Sequence, residues 1–228
     1  MPDHQHIYLH EADTYHLMIS KQPKLASYIA DIRPYDGLDI VDMGAGTGRI
    51  TLELAPKARS IIALDASEAM LQVTSDQLRR IGLTNWTTRT ADHRSLPLPD
   101  NSADLIISGW SICYLTNDNI PEREVNLQRI MSEIHRVLRS DGTAIIIETM
   151  GTGEEQPNPP LFLHDYYEKL TEMYGFTQSI IRHDYLFDNP QQAETTVRFF
   201  FGDELAERVA LRNSPRVSEF AGIWRLQL

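Results

Sequence analysis

Three glycines close together are the part of the sequence best suited to chemistry. The stretch Asp42-Met-Gly-Ala-Gly-Thr-Gly48 lies between a short apolar run, residues 38–43, and a helical pattern. Glycine tolerates a positive φ in a sharp turn, and its missing side chain lets a ligand approach the backbone closely. A plain strand-to-helix turn needs one glycine. Three of them favour a nucleotide-type ligand at this turn.

Three kinds of ligand could use such a turn. A phosphate-binding loop needs GxxxxGK[ST], but Arg49 follows Gly48 and no Lys-Ser or Lys-Thr pair comes after it. A dinucleotide fingerprint has a third glycine where Arg49 stands. S-Adenosylmethionine has no pyrophosphate, and the Asp42 carboxylate suits its ammonium and sulfonium groups. The residues favour S-adenosylmethionine and leave a nicotinamide-dependent oxidoreductase or epimerase as the alternative.

A second candidate ligand residue, Asp65, ends the next apolar run, residues 61–64. A carboxylate at the end of the second strand can accept hydrogen bonds from both ribose hydroxyls of a nucleoside. It could instead cap the helix that begins near Ser67. The two roles are compatible, because the ribose faces the start of that helix.

The elements around these residues alternate between strand and helix. We predict two short helices within residues 12–32, strands over 38–43, 61–64, 85–90, 104–108 and 143–149, and helices over 49–58, 70–81 and 127–138. Short apolar strands separated by helices indicate an α/β fold, with a mostly parallel sheet covered on both faces.

The last third of the chain is rich in aromatic residues and follows a Gly-, Pro- and acid-rich connection at residues 151–160. We predict helices over 161–174, 189–201 and 202–211, and strands over 177–187 and 222–228. No linker marks a second domain. The chain is therefore expected to be one domain: an N-terminal helical cap (1–36), a cofactor-binding core (37–150), and a lid with C-terminal strands (151–228).

Composition narrows the class of protein. The 228 residues include one Cys, 21 Lys and Arg and 32 Asp and Glu, giving a net charge of −11. A lone Cys excludes an intrachain disulfide scaffold, and no apolar run approaches the ~18 residues of a membrane span. The acidic balance disfavours nucleic acid as a partner. We expect a cytoplasmic protein acting on a small molecule; its oligomeric state stays open, a homodimer included.

Four segments together resemble a known family. IVDMGAGTGRITLELA, IIALDASEAML, TADHRSLPLPDNSADLIISGWSICYL and EIHRVLRSDGTAIIIE occur in the order and spacing of class I S-adenosylmethionine-dependent methyltransferases. The nearest likeness is to the small-molecule branch that includes the ubiquinone and menaquinone biosynthesis C-methyltransferases. The resemblance implies a Rossmann-like seven-stranded sheet, whose antiparallel last strand inserts beside the fifth. It also implies methyl transfer by in-line displacement, with S-adenosylhomocysteine as product.

The resemblance also implies which residues contact the cofactor. Gly44, Ala45 and Gly46 are expected under its methionine part, with Asp42 near the amino group. Asp65 is expected on the ribose. The residues expected around the adenine and the sulfonium are Ala66, Met70, Asp92, His93 and Ser108.

The acceptor side is less defined. In-line transfer does not force a catalytic side chain, because orientation and desolvation can supply much of the acceleration. Tyr15 and His164 are the candidates for catalysis. Trp110, Tyr114 and Tyr167 are the candidates for the acceptor pocket, with residues 161–187 as a cap. Each of these tyrosines could equally be a packing residue. A non-catalytic cofactor-binding protein therefore remains a third possibility.

Two further signals are set aside. Asn158-Pro-Pro is similar to a motif of amino-methylating DNA enzymes, but that motif belongs at the end of the fourth strand. Here the stretch lies elsewhere, so we interpret it as a surface turn. The histidines at 4, 6, 10 and 16 do not share one face with a carboxylate. We therefore predict no metal site and a flexible N-terminus.

Overall fold

The fold is built around a seven-stranded sheet, in a computed structural model that describes residues 2–228. The chain's strands are β1 (Asp39–Met43), β2 (Ser60–Asp65), β3 (Trp86–Thr90), β4 (Ala103–Gly109), β5 (Leu138–Thr152), β6 (Thr177–Arg182), β7 (Tyr185–Leu186), β8 (Arg216–Val217) and β9 (Glu219–Gln227). β7 and β8 form a separate two-stranded sheet.

The order of the large sheet is β3-β2-β1-β4-β5-β9-β6. β9 runs antiparallel to both of its neighbours, and the other pairs are parallel. The central strands are buried on both faces, which explains their nearly continuous apolar sequences. This arrangement confirms the predicted fold, including the antiparallel last strand beside β5.

Helices cover both faces of the sheet. They are α1 (His4–His10), α2 (Ala12–Ile19), α3 (Ala26–Ile32), α4 (Thr51–Leu54), α5 (Glu68–Arg80), α6 (Cys113–Thr116), α7 (Arg123–Val137), α8 (His164–Glu172), α9 (Pro190–Phe201) and α10 (Asp203–Arg212). A 3₁₀ turn, Leu161–Leu163, precedes α8. No helix among the described residues is long and apolar enough to cross a membrane.

The N-terminal segment differs from the prediction. The sequence predicted a flexible terminus before residue 12, but α1 begins at His4. Asp3 caps this helix by accepting a hydrogen bond from the His6 N–H at 3.1 Å, and Ile7 is buried beneath it. The helix has one buried residue, so its apolar periodicity was too weak to recognise.

The segment at 161–187 also differs, because it does not form the expected cap. α8 packs on the sheet through Tyr166 and Leu170, in the same apolar cluster as Trp224. The predicted strand 177–187 is broken at His183 and Asp184, so that β6 joins the large sheet and β7 pairs with β8. Most of its aromatic residues therefore serve core packing, with Phe162 exposed, and the cover over the site comes from α1 and α2.

Candidate functional site

A cavity of about 400 Å³ lies at the carboxyl ends of β1, β2 and β4, the place where open α/β sheets bind ligands. Most residues expected to hold the cofactor line this cavity. They are Asp42, Gly44, Ala45, Gly46, Asp65, Ala66, Met70, Asp92 and His93. Ser108 is the exception: its side chain is buried behind the wall and its hydroxyl lies 2.7 Å from the Ser111 hydroxyl. Gly109 and Ser111 face the cavity in its place.

The glycine turn is held tightly against β2. The Gly44 and Ala45 N–H groups both donate to the Leu64 carbonyl, at 2.7 and 2.8 Å. Gly44 has φ +77°, and a Cβ there would lie 2.3 Å from the Ser111 Cβ, so only glycine fits. A Cβ on Gly46 would meet only the Met70 methyl group, at 3.4 Å. The backbone at Gly46 is therefore open to a ligand.

The Asp65 carboxylate connects this turn to the start of α5. Its two oxygens accept hydrogen bonds from the Gly46 and Ser67 N–H groups, each at 2.8 Å. Ser67, not Asp65, caps α5, since the Ser67 hydroxyl accepts from the Met70 N–H at 3.3 Å. Burial raises the pKa of Asp65, and the backbone N–H groups oppose that effect.

Asp42 lies at the bottom of the cavity and is 1% exposed. The Thr51 hydroxyl donates to its Oδ2 at 2.6 Å. Burial raises the pKa of Asp42 to about 7, because no cation offsets the lost hydration among its described neighbours. A ligand ammonium placed beside it would stabilise the ionised carboxylate.

Asp92 and His93 form the far wall and differ in charge. Arg94 donates to both Asp92 oxygens and, as the largest effect, lowers the pKa of that carboxyl to about 2. His93 is buried, and burial lowers its pKa to about 4. The imidazole is therefore neutral at neutral pH, and the wall presents one carboxylate and one neutral ring.

Helices α1 and α2 close the cavity from above. The Tyr8 and Tyr114 hydroxyls are 2.6 Å apart across it. The Ser67 hydroxyl donates to the Tyr8 carbonyl at 3.1 Å. The His16 ring reaches the Thr47 hydroxyl at 3.1 Å. These contacts attach the roof to the turn and to α5.

Sequence reasoning missed two roof residues, His4 and Tyr8, both of which line the cavity. His4 stacks on Phe200 of α9, with ring centroids 4.4 Å apart. The only signal in the sequence was an aromatic residue within the segment predicted to be flexible. Recognising it would have required knowing that α9 supports α1 from behind.

The acceptor-side candidates divide into two groups. Tyr15, expected as a candidate for catalysis, lines the cavity together with Trp110 and Tyr114, which were expected in the acceptor pocket. Trp110 directly follows β4 with φ +51°, and its N–H donates to the Ile147 carbonyl at 2.7 Å. Arg49, which the sequence weighed only as a departure from the dinucleotide pattern, lies on the same wall with its Cζ 4.2 Å from the Trp110 ring centroid.

His164 and Tyr167 lie elsewhere, which corrects the roles expected for them. His164 is exposed, and its Nε2 lies 3.2 Å from the Pro159 carbonyl. Tyr167 is buried against Trp224, with ring centroids 4.5 Å apart, and donates to the Thr149 carbonyl at 2.8 Å. Neither lines the cavity, because α8 packs on the sheet instead of over its edge.

Comparison with known proteins agrees with this geometry. Residues 41–146 match the family described as "Methyltransferase domain". This part of the chain is similar to a methyltransferase domain. The finding confirms the family to which the four sequence segments pointed.

Named relatives carry the same domain. The chain is 27% identical over 109 residues to the uncharacterized methyltransferase YcgJ of Bacillus subtilis, covering 48% of this chain and 40% of that protein. It is 30% identical over 129 residues to a demethylmenaquinone methyltransferase of Symbiobacterium thermophilum, covering 53% and 46%. The matched region thus spans less than half of each of these relatives.

Solved structures extend the likeness beyond the methyltransferase domain. The YcgJ crystal structure superposes with a TM-score of 0.60 at 15% identity, over 88% of this chain and 95% of that one. A SAM-dependent methyltransferase from Aquifex aeolicus gives 0.56 at 16% identity, over 99% and 94%. At these identities the superpositions establish a shared fold, and they include the C-terminal third.

The part of the chain that the structure describes contains no recognisable metal-binding cluster. Among residues 2–228, no group of three His, Cys, Asp or Glu side chains is placed to hold a metal ion. His4, His6, His10 and His16 are spread over α1 and α2, where His4 stacks on Phe200 and His16 contacts Thr47.

Proposed function

We propose that this chain transfers the methyl group of S-adenosylmethionine to a small-molecule acceptor in the cavity between the sheet edge and helices α1 and α2. The observation that carries the proposal is the meeting of Asp42, Asp65 and the open backbone of Gly46 in one cavity. Carboxylates and uncovered backbone suit a cationic nucleoside and do not suit a pyrophosphate.

The cofactor fits the residues present. Asp42 is a buried acid that lacks a counter-charge, and the amino group of the methionine part would supply one. Asp65 stands at the end of β2 to accept from the ribose hydroxyls. Met70, in the first turn of α5, offers an apolar surface for the adenine beside Ala66 and next to Gly46 of the glycine turn. Asp92 and His93 would meet the adenine edge, and Ala45 the methionine part.

When bound, the cofactor would supply a methyl group activated by a sulfonium. This chain would position the two reactants and shield them from bulk water. The roof, held in part by the Tyr8–Tyr114 hydrogen bond, covers the cavity and would limit the access of water to a bound cofactor. Trp110 and Tyr15 form walls against which an acceptor can be oriented. Burial raises the pKa of Tyr15, so its phenol stays protonated at neutral pH and can orient an acceptor by hydrogen bonding.

Calorimetry with S-adenosylhomocysteine and with NAD tests the cofactor assignment. We expect S-adenosylhomocysteine to bind and NAD not to bind. NAD binding in the absence of S-adenosylhomocysteine binding would favour the oxidoreductase alternative and overturn the proposal.

Turnover is tested separately, by following S-adenosylhomocysteine release from S-adenosylmethionine with a panel of small metabolites. We expect release to depend on the presence of an acceptor. Binding of the product without any turnover across a broad panel would favour a non-catalytic cofactor-binding protein.

A further inference from the structure

Arg49 is a cation on the cavity wall without an ion-pair partner. It lines the cavity and is partly buried. Among residues 2–228 it forms no salt bridge, although most other arginines of the chain do, for example Arg59, Arg94 and Arg136. A partly buried guanidinium without a carboxylate is costly unless a ligand completes it.

The Arg49 guanidinium is oriented by its aromatic neighbours: it stacks on Trp110 and has the Tyr15 and Tyr185 phenols within its hydrogen-bonding reach. Its Cζ stacks over the Trp110 ring at 4.2 Å from the centroid. Stacking uses the face of the guanidinium and not its edge, so the N–H donors that are not directed at the two phenols remain available for a ligand carboxylate. Trp110 in turn stacks on His183, with centroids 5.7 Å apart, which fixes the platform from behind.

The groups behind this platform do not neutralise Arg49. Asp184 pairs with Arg182 and Arg216. Glu219 accepts from the Thr149 hydroxyl at 3.0 Å, and its other oxygen has no partner among the described residues. Burial raises the pKa of Glu219 to about 7, so much of it is neutral at neutral pH.

His183 and Tyr185 also border Arg49 without adding a negative charge, whereas the Glu53 carboxyl acts on Arg49 from α4, where it accepts from the Leu25 and Ala26 N–H groups. His183 is fully buried, and neither of its ring nitrogens has a partner among residues 2–228. Burial lowers its pKa to about 3, so the ring is neutral. Burial likewise raises the pKa of Tyr185, while the nearby charge of Arg49 acts in the opposite direction. The phenol therefore stays protonated.

Charge is thus divided between the two ends of the cavity. Asp42, Asp65 and Asp92 lie where the cofactor's amino group, ribose and adenine are assigned. Arg49 lies with Tyr15 and Trp110, on the side assigned to the acceptor. The charged groups whose effects reach Asp42 include Asp65 and not Arg49, whereas Arg49 acts on Tyr15, Glu53, His183, Tyr185 and Glu219.

We infer that the methyl acceptor is a flat, carboxylate-bearing small molecule whose carboxylate is held by Arg49 and whose ring or conjugated part lies against Tyr15 and the edge of Trp110. This inference rests on the proposed function and adds the acceptor's chemical class. A single guanidinium beside neutral phenols matches the one charge of a carboxylate, and a phosphate dianion would call for more donors.

The first test uses the wild-type protein saturated with S-adenosylhomocysteine. Calorimetry measures the binding of four aromatic acids and, for comparison, of the primary amide of each. The acids are benzoate, 4-hydroxybenzoate, cinnamate and indole-3-acetate. We expect at least one acid to bind ten times or more tighter than its amide, since the amide keeps the shape and loses the charge. Equal affinities, or no detectable binding of any acid, would overturn the inference.

The second test removes the guanidinium. R49Q should erase the preference for the acid over the amide, whereas R49K, which keeps the charge but not the planar fork, should retain part of it. R79Q is the matched control, because Arg79 also lies over a tryptophan, Trp86, but on the exposed face of α5. Its acid preference should equal that of the wild type. If R49Q does not fold, the wild-type comparison and R49K decide the question.

A third measurement separates the acceptor from the cofactor, which also carries a carboxylate. Each protein is titrated with S-adenosylhomocysteine and with its decarboxylated analogue. We expect R49Q to change the affinity for S-adenosylhomocysteine less than twofold. A tenfold loss confined to the carboxylated compound would assign Arg49 to the cofactor and overturn the inference, while failure of the wild type to bind S-adenosylhomocysteine would count against the proposed function alone.

Discussion

Asp65 accepts hydrogen bonds from the backbone and, in the proposed complex, from the ribose, and a substitution at this position tests the second role. In the unliganded protein its oxygens accept from the Gly46 and Ser67 N–H groups, and the proposed ligand adds two ribose hydroxyls. We expect Asp65→Ala to weaken S-adenosylhomocysteine binding by about 1–3 kcal/mol, through lost hydrogen bonds to a charged acceptor. Calorimetry at pH 8 measures the loss directly.

The control for Asp65 lies on the next helix. Asp76 is half-buried on α5 and contacts Gln72 and Arg79, outside the wall of the main cavity. Asp76→Ala should leave the affinity for S-adenosylhomocysteine unchanged. If Asp65→Ala behaves like this control, Asp65 does not hold the ribose.

Because the pKa of Asp42 is raised, we expect cofactor binding to depend on pH. The free protein keeps this carboxyl protonated below its pKa of about 7, because of burial, whereas pairing with an ammonium requires the ionised form. Affinity for S-adenosylhomocysteine should therefore rise with pH up to about 7 and then level off. The affinity should increase about tenfold between pH 6 and pH 8. Below its pKa the Asp42 carboxyl must release a proton before it can pair with the ammonium, and that release costs about 1.4 kcal/mol for each pH unit below the pKa.

Asp42→Asn isolates that titration. The amide keeps an oxygen that can accept from the Thr51 hydroxyl, so the turn should remain intact. We expect weaker binding with a nearly flat profile from pH 5.5 to 8. A profile in Asp42→Asn as steep as that of the wild type would show that another group titrates.

Single residues differ in how far the sequence could reveal them. Asp42 and Asp65 were predictable because strand ends in this kind of sheet converge on one edge, so local position determines where they point. Arg49 and Tyr8 were not recognised as site residues. The placement of Arg49 against Trp110, and of Tyr8 against Tyr114, depends on contacts between segments distant in sequence.

At the scale of an element, the glycine turn can be tested against a turn of similar backbone shape. Gly37 has φ +75° and no atom within 4 Å of a built Cβ, whereas Gly44 has φ +77° and Ser111 at 2.3 Å. Gly37→Ala should cost only the left-handed strain, about 1–2 kcal/mol. Gly44→Ala should lose a further ~1–3 kcal/mol through overpacking and should also lose cofactor binding. Urea unfolding and calorimetry provide both measurements.

Equal losses of stability in the two glycine variants would show that Ser111 moves aside at little cost. Gly44→Ala would then report strain alone. Retained S-adenosylhomocysteine binding in Gly44→Ala would further show that the cofactor does not require the close approach of this turn to Ser111.

The elements themselves were largely predictable, and the misses have physical causes. The helix expected over 49–58 is only Thr51–Leu54, because Gly48 with φ +89° delays its start and Pro56, which has no backbone N–H to donate, ends it. The run 177–187 has a continuous strand composition, yet it changes sheets at His183. Periodicity describes one strand at a time and does not show which sheet receives it.

At the scale of the whole molecule, the formal charge of −11 overstates the negative charge of the folded protein near pH 7. Burial raises the pKa of Asp42, Glu148 and Glu219 to about 7 each. Two of these acids lie at or behind the cavity wall. Glu148 lies outside the cavity, between the start of α6 and α8, so it can be changed without touching the proposed site.

Because the pKa of Glu148 is raised, we expect the stability of the folded protein to depend on pH. Its Oε1 accepts from the Cys113 N–H at 3.1 Å and the Tyr166 hydroxyl at 3.4 Å, and its Oε2 has no partner among the described residues. The folded protein holds this proton up to pH about 7, whereas the unfolded chain releases it near 4.5. Stability is therefore fully present below pH 4.5 and falls as pH rises through 7, by about 3 kcal/mol from this group.

Glu148→Gln removes that ionisation while keeping the shape of the side chain. Urea unfolding should show the variant gaining stability relative to the wild type as pH rises from 5 to 8, by as much as about 3 kcal/mol. Asp42 and Glu219 still titrate in the variant, so its profile should be flatter but not flat. Glu168, exposed on α8, is the matched control, and Glu168→Gln should follow the wild-type profile. Parallel curves for Glu148→Gln and the wild type would mean that Glu148 is already ionised in the folded protein at pH 5, paired with a group or water that its two hydrogen bonds do not reveal.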